Sequence, residues 1–262
     1  MSSNLPWLTI VGISLNGIDG LTPEQRRAID QADIIAGGKR HLDLIGKDDR
    51  EHLQWGVPFM DSLKRVLDYK DRHVTVLATG DPMWFGVGAT LRKMISAEEM
   101  RVLPAPSAFS LAAARMAWSI PDIECLSAHG RPVEALIPFF TPNAQLLVLT
   151  ANSDSPNDIS ELLNTRGFGD SKLTVLGNLG AEDEIRIEST AAKWDDKNVP
   201  SLNTVAIDCV ANSGANIYPR IGGLPDDAFI HDGQLTKQEI RAVTISALQP
   251  LPGQLLWDVG AG

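Results

Sequence analysis

A chain of 262 residues with 44% hydrophobic content is long enough to bury a substantial core, either as two compact α/β domains or as one large one. Its formal net charge of -10, with no Lys/Arg-rich block, opposes attraction to phosphate backbones and excludes nucleic acid as an expected partner. Two cysteines, Cys125 and Cys209, are too few for a disulfide framework and lack Cys-x-x-Cys spacing, which predicts buried, inert thiols in a reducing cytoplasm. Residues 1–7 lack a charged segment followed by an apolar core, and no later run approaches the length of a membrane span, so neither export nor a membrane is expected.

In chain order, Leu8–Ile13 reads as the first strand, feeding a glycine-containing loop through Gly12, Gly17 and Gly20. Thr22, Pro23 and Gln25 then form a capping box: Thr22 as cap, Pro23 at the first helical position and Gln25 reaching back. The loop carries neither Gly-x-Gly-x-x-Gly nor a Gly-Lys-Ser/Thr ending, so dinucleotide and triphosphate binding are not indicated. A plain strand-to-helix turn and a ligand-binding loop both stay open here. Further strands at 33–36, 74–78 and 101–103 alternate with helical patterns, which implies parallel pairing with crossover helices. A helix over 109–118 closes this series near Ala117 to Pro121. A second series follows at 123–127, 145–150, 172–176, 184–188 and 204–209. Its last three strands succeed one another without a long helix, which predicts a mixed or antiparallel sheet.

The expected class is therefore α/β, with two α/β domains over 1–119 and 120–216 and a cleft between them. The remainder, 217–262, reads as a connector through Gly222-Gly223-Leu224-Pro225-Asp226-Asp227, a helix over 236–248 and a final apolar strand. That last strand, Leu255-Leu256-Trp257-Asp258-Val259 running into Gly260-Ala261-Gly262, is expected to be buried. It reads as the opening of a Rossmann-like nucleotide site cut off before its helix, as in a fragment of a two-module protein.

The chemistry is concentrated at strand ends. Thr79-Gly80-Asp81-Pro82-Met83-Trp84-Phe85-Gly86-Val87-Gly88 places backbone amides and one carboxylate where open α/β sheets bind ligands. A plain alternative makes Asp81 a helix cap with Pro82 at the first position. It accounts for Asp81-Pro82 but not for Trp84-Phe85 between glycines, which suit close backbone approach to a flat ligand. Leu103-Pro104-Ala105-Pro106-Ser107-Ala108-Phe109, Leu149-Thr150-Ala151-Asn152 and Leu176-Gly177-Asn178-Leu179-Gly180 are further strand-end junctions, and together they predict one shared pocket. His41, His52, His73 and His231 are scattered without metal-ligand spacing, and no metal is expected.

Over residues 7–215 the order of these motifs resembles the tetrapyrrole methylase family, S-adenosylmethionine enzymes of corrin and sirohaem synthesis. The most specific element is Gly80-Asp81-Pro82-x-x-Phe85-Gly86. Val11-Gly12-Ile13, Asp19-Gly20-Leu21-Thr22 and Ala128-His129-Gly130-Arg131 resemble the branch that methylates C5 of precorrin-7. The first loop departs from the family, with Ser14 and Asn16-Gly17 where many members have Gly-x-Gly-Pro-Gly, and Ala105-Pro106 replaces a more usual Pro-Gly.

The resemblance implies C-methylation of a precorrin in cobalamin biosynthesis, with S-adenosyl-L-homocysteine as coproduct. The cofactor is expected folded in the cleft, meeting Gly12, Gly80, Asp81, Trp84, Ser107, Ala108, Thr150 and Leu179 largely through backbone groups. Precorrins carry many carboxylates, so an acidic chain must supply local cations. His129 and Arg131 are the expected substrate-binding residues, with Lys39, Arg40 and Arg115 behind them. A solvated helix face is the competing assignment for Lys39 and Arg40. His129 is also the candidate general base. A homodimer is a further expectation from the family.

The tail from Asp232-Gly233-Gln234-Leu235-Thr236-Lys237 onward resembles the start of a C15-methylating, decarboxylating partner module of a different methyltransferase fold. Three other functions compete. A methyltransferase of the same fold acting on a protein side chain or ribosomal RNA is disfavoured by the acidic charge and the appended module. A nucleotide-binding oxidoreductase lacks its fingerprint. A non-catalytic tetrapyrrole carrier would have no use for S-adenosylmethionine.

Overall fold

The computed structural model describes residues 6–46, 48–195 and 198–259. Its first sheet holds β1 (Leu8–Ile13), β2 (Ile34–Gly37), β3 (Glu51–Gln54), β4 (Val74–Thr79) and β5 (Met100–Leu103), in the order β3-β2-β4-β1-β5. Every pairing in it is parallel. The central strands read as near-continuous apolar runs because both faces are covered, which is the usual condition of a parallel sheet. Leu8, Ile10, Ile34 and Val76 enter one buried cluster, while Val11, Ile13, Ile35 and Leu77 enter another on the opposite face. The edge strand β3 has a single buried residue, Leu53, in Glu51-His52-Leu53-Gln54 and so carries no periodic signal.

The expected capping box forms at the start of α1 (Pro23–Asp30). The Gln25 backbone N–H donates to Thr22 Oγ1 at 3.2 Å, and the Thr22 N–H donates to Gln25 Oε1 at 2.8 Å. α2 (Lys39–Ile45), α3 (Phe59–Val66) and α4 (Val87–Leu91) complete the first half.

The connecting helix α5 (Ala108–Met116) leaves the first sheet at β5 but packs on the second: Phe109, Ala112 and Ala113 share a buried cluster with Leu147, Leu176, Leu179 and Ala206. It stops at Ala117, which takes a left-handed conformation with φ 54°. The second sheet holds β6 (Glu124–Ser127), β7 (Gln145–Leu149), β8 (Lys172–Gly177), β9 (Ile185–Thr190) and β10 (Asn203–Asp208), ordered β6-β7-β10-β8-β9. Only β6 and β7 run parallel, and the remaining pairs are antiparallel, as the missing crossover helices predict. α6 (Ser155–Thr165) closes its core with Ile159 and Leu163 beside Phe168.

The connector is tied back to the second half by Arg220, which pairs with Glu124 at 2.6 Å and lies over the Phe139 ring. α7 (Gln238–Leu248) has no buried residue and is held through Arg241, which bonds Asp226 at 2.7 Å and stacks on Phe229. The expected buried strand does not form among the described residues. Leu255 is 82% exposed, Leu256 67% and Trp257 78%. An apolar segment becomes a buried strand only when a neighbouring ladder accepts it, and no described strand lies beside this one. Gly260-Ala261-Gly262 lies outside the described residues. No helix among the described residues is long and apolar enough to cross a membrane.

Candidate functional site between the two sheets

Parallel pairing places the carboxyl ends of β1, β2, β4 and β5 along one edge of the first sheet. In the second sheet, antiparallel β10 sets its first residues beside the last residues of β7 and β8, with Thr204 opposite Leu149 and Asn203 opposite Gly177. All these ends face one cavity of about 780 Å³. That is within the roughly 300–1,000 Å³ of pockets that enclose small molecules.

The centre of the first wall is the Gly80 peptide. Its N–H donates to Ile13 O at 3.0 Å and its carbonyl accepts from Ala105 N at 3.1 Å, so the β1, β4 and β5 loops are stitched together there. Gly80 has φ +61°, and a Cβ on it would meet Pro106 O at 3.1 Å. Gly12, expected to touch a cofactor, does not line the cavity. It lies beneath this stitch, where an added Cβ would fall 2.0 Å from Gly80 O and 2.6 Å from Ala105 N. Only glycine lets the loops approach that closely. Gln25 secures the same junction from below, with buried Nε2 donating to Gly12 O at 3.1 Å and lying 3.3 and 3.2 Å from Leu103 O and Pro104 O.

Asp81 is not a helix cap, because helix begins only at Val87, after a stretch of turns and bends. Its Oδ1 accepts from Met83 N at 2.8 Å, and it enters no ion pair among the described residues. The loop curls tightly: a Cβ on Gly86 would lie 2.5 Å from Pro82 O, and one on Gly88 would lie 2.9 Å from the same atom. This curl turns Trp84 and Phe85 onto Phe109, with ring centroids 4.9 and 6.0 Å apart, so the aromatic pair forms cavity wall.

Ser107 is the N-cap of α5, accepting from Ser110 N at 3.0 Å, and with Ala108 it faces the cavity. Thr150 lines the cavity too, yet its hydroxyl is committed to Asn203, lying 2.7 Å from the carbonyl oxygen and 2.8 Å from Oδ1. Leu179 stands on the cavity between Asn178 and Gly180, both with positive φ. His129 and Arg131 reach it from the loop after β6. The His129 N–H donates to Ser127 Oγ at 3.2 Å, and the Arg131 guanidinium lies 5.0 Å from the centre of the Phe85 ring, spanning from one half of the molecule to the other.

The other predicted cations divide. Lys39 pairs with Asp43 at 2.7 Å on an exposed helix face, which is the solvated assignment. Arg115 forks onto Glu184 at 2.5 and 3.0 Å, away from the cavity; this bonding raises the Arg115 pKa and lowers that of Glu184. Arg40 does not itself line the cavity, but alone of these three it bonds a residue that does, donating to Thr79 Oγ1 at 2.8 Å.

Among the lining residues that the sequence reading did not place at the site are His41, Trp55, Lys93 and Asn203. His41 is 9% exposed, and burial first, then the charge of Arg40, push its pKa down to about 4. Its signal was present in Gly37-Gly38 at the end of β2, another strand-end glycine junction. Burial, followed by the charge of Asp208, pushes the Cys209 thiol up to about 12, as suits an inert core cysteine. Among the described residues no cluster of His, Cys, Asp or Glu could hold a metal. What this arrangement can do is hold a ligand through backbone groups in an aromatic and aliphatic cavity, with a carboxylate on one loop and cations at the rim.

Comparison with known proteins agrees with this architecture. Residues 7–195 match the tetrapyrrole (corrin/porphyrin) methylases, and residues 227–262 match a precorrin methyltransferase domain. The precorrin-6Y C(5,15)-methyltransferase (decarboxylating) of a Sinorhizobium species is 44% identical over 258 residues. That alignment takes in 98% of this chain and 62% of the relative, so the chain spans less than two thirds of that protein. The cobalt-precorrin-7 C(5)-methyltransferase of Salmonella typhimurium is 31% identical over 177 residues, covering 68% of this chain and 87% of the relative. Among solved structures, the uroporphyrin-III C-methyltransferase of Thermus thermophilus complexed with S-adenosylhomocysteine superposes with a TM-score of 0.56 at 19% identity, covering 76% of this chain and 96% of that one. Because the matched span of 7–195 runs from the Gly12 floor through the Gly80 loop to Leu179, taking in most of the cavity wall, the chain belongs to the tetrapyrrole (corrin/porphyrin) methylase family.

Proposed function

We propose that residues 7 to about 215 form a methyltransferase that uses S-adenosylmethionine to methylate C5 of a precorrin macrocycle in cobalamin biosynthesis. The observation that carries this reading is the alignment with a C(5)-methyltransferase over 87% of that relative's length, in a chain whose strand ends face a large cavity. Residues 1–119 and 120–216 serve as the two domains flanking it, and the protein works in the cytoplasm as a homodimer. The match over 227–262 supports a partner module that methylates C15 with decarboxylation.

The cavity suits the cofactor. When bound, S-adenosylmethionine supplies an electrophilic methyl group on a cationic sulfur. The Gly80–Asp81 loop and the Ser107–Ala108 turn offer backbone groups, with Trp84, Thr150 and Leu179 as further contacts. Asp81, free of a cationic partner among the described residues, favours a positive ligand. Gly12 acts indirectly by letting the loops close.

No nucleophilic side chain is needed for methyl transfer to an electron-rich carbon. Alignment and exclusion of water supply ~7–11 kcal/mol in favourable cases, and here the walls of Trp84, Phe109 and Leu176 exclude it. Arg131 receives a substrate carboxylate. His129 assists there and is positioned to take the proton that the macrocycle sheds as it returns to its former charge.

The test is to supply the full chain with precorrin-7 and S-adenosylmethionine labelled with carbon-13 in its methyl group. One new labelled methyl at C5, seen by NMR, is expected. Label at another carbon, or methyl transfer to a protein instead, would contradict the substrate assignment.

A further inference from the structure

Arg40 and Lys39 are neighbours in sequence with opposite situations. Lys39 is neutralised by Asp43, whereas Arg40 enters no ion pair among the described residues. Its guanidinium is held instead by two neutral groups: Nη2 donates to Thr79 Oγ1 at 2.8 Å and lies 3.2 Å from His41 Nε2. Both Thr79 and His41 line the cavity, and Thr79 directly precedes the Gly80–Asp81 loop.

His41 Nε2 also lies 3.1 Å from Thr79 Oγ1, so Arg40, His41 and Thr79 form one cluster. A guanidinium has donors and no acceptor, so a bond from Arg40 requires Nε2 to present its lone pair and the proton to sit on Nδ1, whereas a proton on Nε2 would be given to Thr79 Oγ1. Nδ1 is buried and has no hydrogen-bond partner among the described residues. A polar atom left orphaned in the interior works against stability, and such atoms call for a reason outside stability. Protonation of Nε2 would set a second cation against Arg40, in keeping with an imidazole that stays neutral. The result is a guanidinium held by two uncharged groups that line the cavity, with no ion-pair partner among the described residues, in an acidic protein.

We propose that Arg40, oriented by His41 and Thr79, receives a carboxylate of the substrate on the side of the cavity built by the first sheet. Arg131 serves the second side, so the macrocycle is gripped from both halves and its orientation, and hence the carbon presented for methylation, is selected. Arg40 is the binding residue; His41 is a positioning residue that acts through it. This assignment rests on the reading of the substrate as a polycarboxylated tetrapyrrole.

The experiment uses the full chain carrying R40Q, R40K, H41L or R40Q with H41L. The KM for precorrin-7 is measured at saturating S-adenosylmethionine, and S-adenosylhomocysteine affinity by calorimetry. Losing one charge-assisted contact should raise KM about tenfold in R40Q with kcat little changed. R40K should recover part of the loss, and S-adenosylhomocysteine affinity should not move in either variant. H41L should raise KM in the wild-type background but add nothing to R40Q. An unchanged KM in R40Q, or lost S-adenosylhomocysteine affinity, would overturn the role of Arg40. Full additivity of R40Q and H41L would overturn the positioning role of His41. Should H41L not fold, R40Q still decides for Arg40, and R40Q with R40K reads the charge itself. Absence of methyl transfer from the wild-type chain would instead count against the proposed reaction, which keeps the two failures apart.

Discussion

The two sheets reach the same cavity by different means. In the first, every strand is parallel, so all the carboxyl ends lie at one edge and β1, β2, β4 and β5 each deliver a loop to the cavity. In the second, antiparallel pairing sends alternate ends away, and β10 contributes through its start. The first sheet's loops pack backbone to backbone through Gly12, Gly80, Gly86 and Gly88. The second sheet's rim is tied by side chains, with Thr150 and Asn203 linking β7 to β10. At the cavity, the first sheet's loops should therefore be intolerant of added atoms, and the second sheet's rim should depend on individual polar groups.

The sharpest way to break this contrast is Gly12→Ala. Its Cβ would meet backbone atoms at 2.0 and 2.6 Å that cannot swing aside. A loss of at least about 3 kcal/mol is expected, together with loss of S-adenosylhomocysteine binding, by urea denaturation and calorimetry. Gly130→Ala is the control in the second half: nothing lies within 4 Å of its Cβ, and only its φ of +67° resists substitution. That change should cost about 1 kcal/mol. Equal tolerance at both positions would dissolve the distinction.

Next in size is a pH effect from His41. Its folded pKa of about 4 lies below the unfolded value of 6.5, so between these values the unfolded chain binds more protons. Stability is then unaffected above pH 6.5 and declines as pH falls toward 4, by up to about 3 kcal/mol. Replacing His41 by Gln should flatten that part of the stability profile; an unchanged slope would mean that the imidazole is not held neutral.

Asp81→Ala should weaken S-adenosylmethionine binding about tenfold while affecting S-adenosylhomocysteine less, since only the former is a sulfonium cation. Equal loss for both ligands would remove charge as the basis of its role. The smallest expected effect is that of Arg115→Ala. The Arg115–Glu184 pair is partly exposed, with Arg115 43% accessible, so solvent screens it, and its loss should barely shift the urea midpoint and leave ligand binding unchanged.

Much of the fold was legible because its central strands are unbroken apolar runs set between capped helices, and the antiparallel character of the second sheet followed from the short links between its last strands. β3 was not legible, as one buried leucine in four residues sets no period. α6 was hidden by Ser155, Pro156, Asn157 and Asp158, turn-forming residues that here make up its first turn. At the site, strand-end position singled out the junctions around Gly80, Ser107, Thr150 and Leu179, and the family resemblance named His129 and Arg131; all of these line the cavity. Sequence could not separate contact from support: Gly12 holds the floor, and the Thr150 hydroxyl serves Asn203. His41 was passed over because a lone histidine carries no spacing, and its significance depends on an arginine that the fold leaves without a carboxylate. The apolar Leu255 to Val259 segment has the right composition for a buried strand, but burial requires a neighbouring ladder that composition does not supply.

The central claim is that the cavity between the sheets holds S-adenosylmethionine. Calorimetric titration of the full chain with S-adenosylhomocysteine, with NAD as the control ligand, tests it most directly. Saturable binding of one molecule per chain, abolished by Gly12→Ala and absent for NAD, is the predicted result. Binding of NAD, or S-adenosylhomocysteine binding that survives Gly12→Ala unchanged, would contradict it.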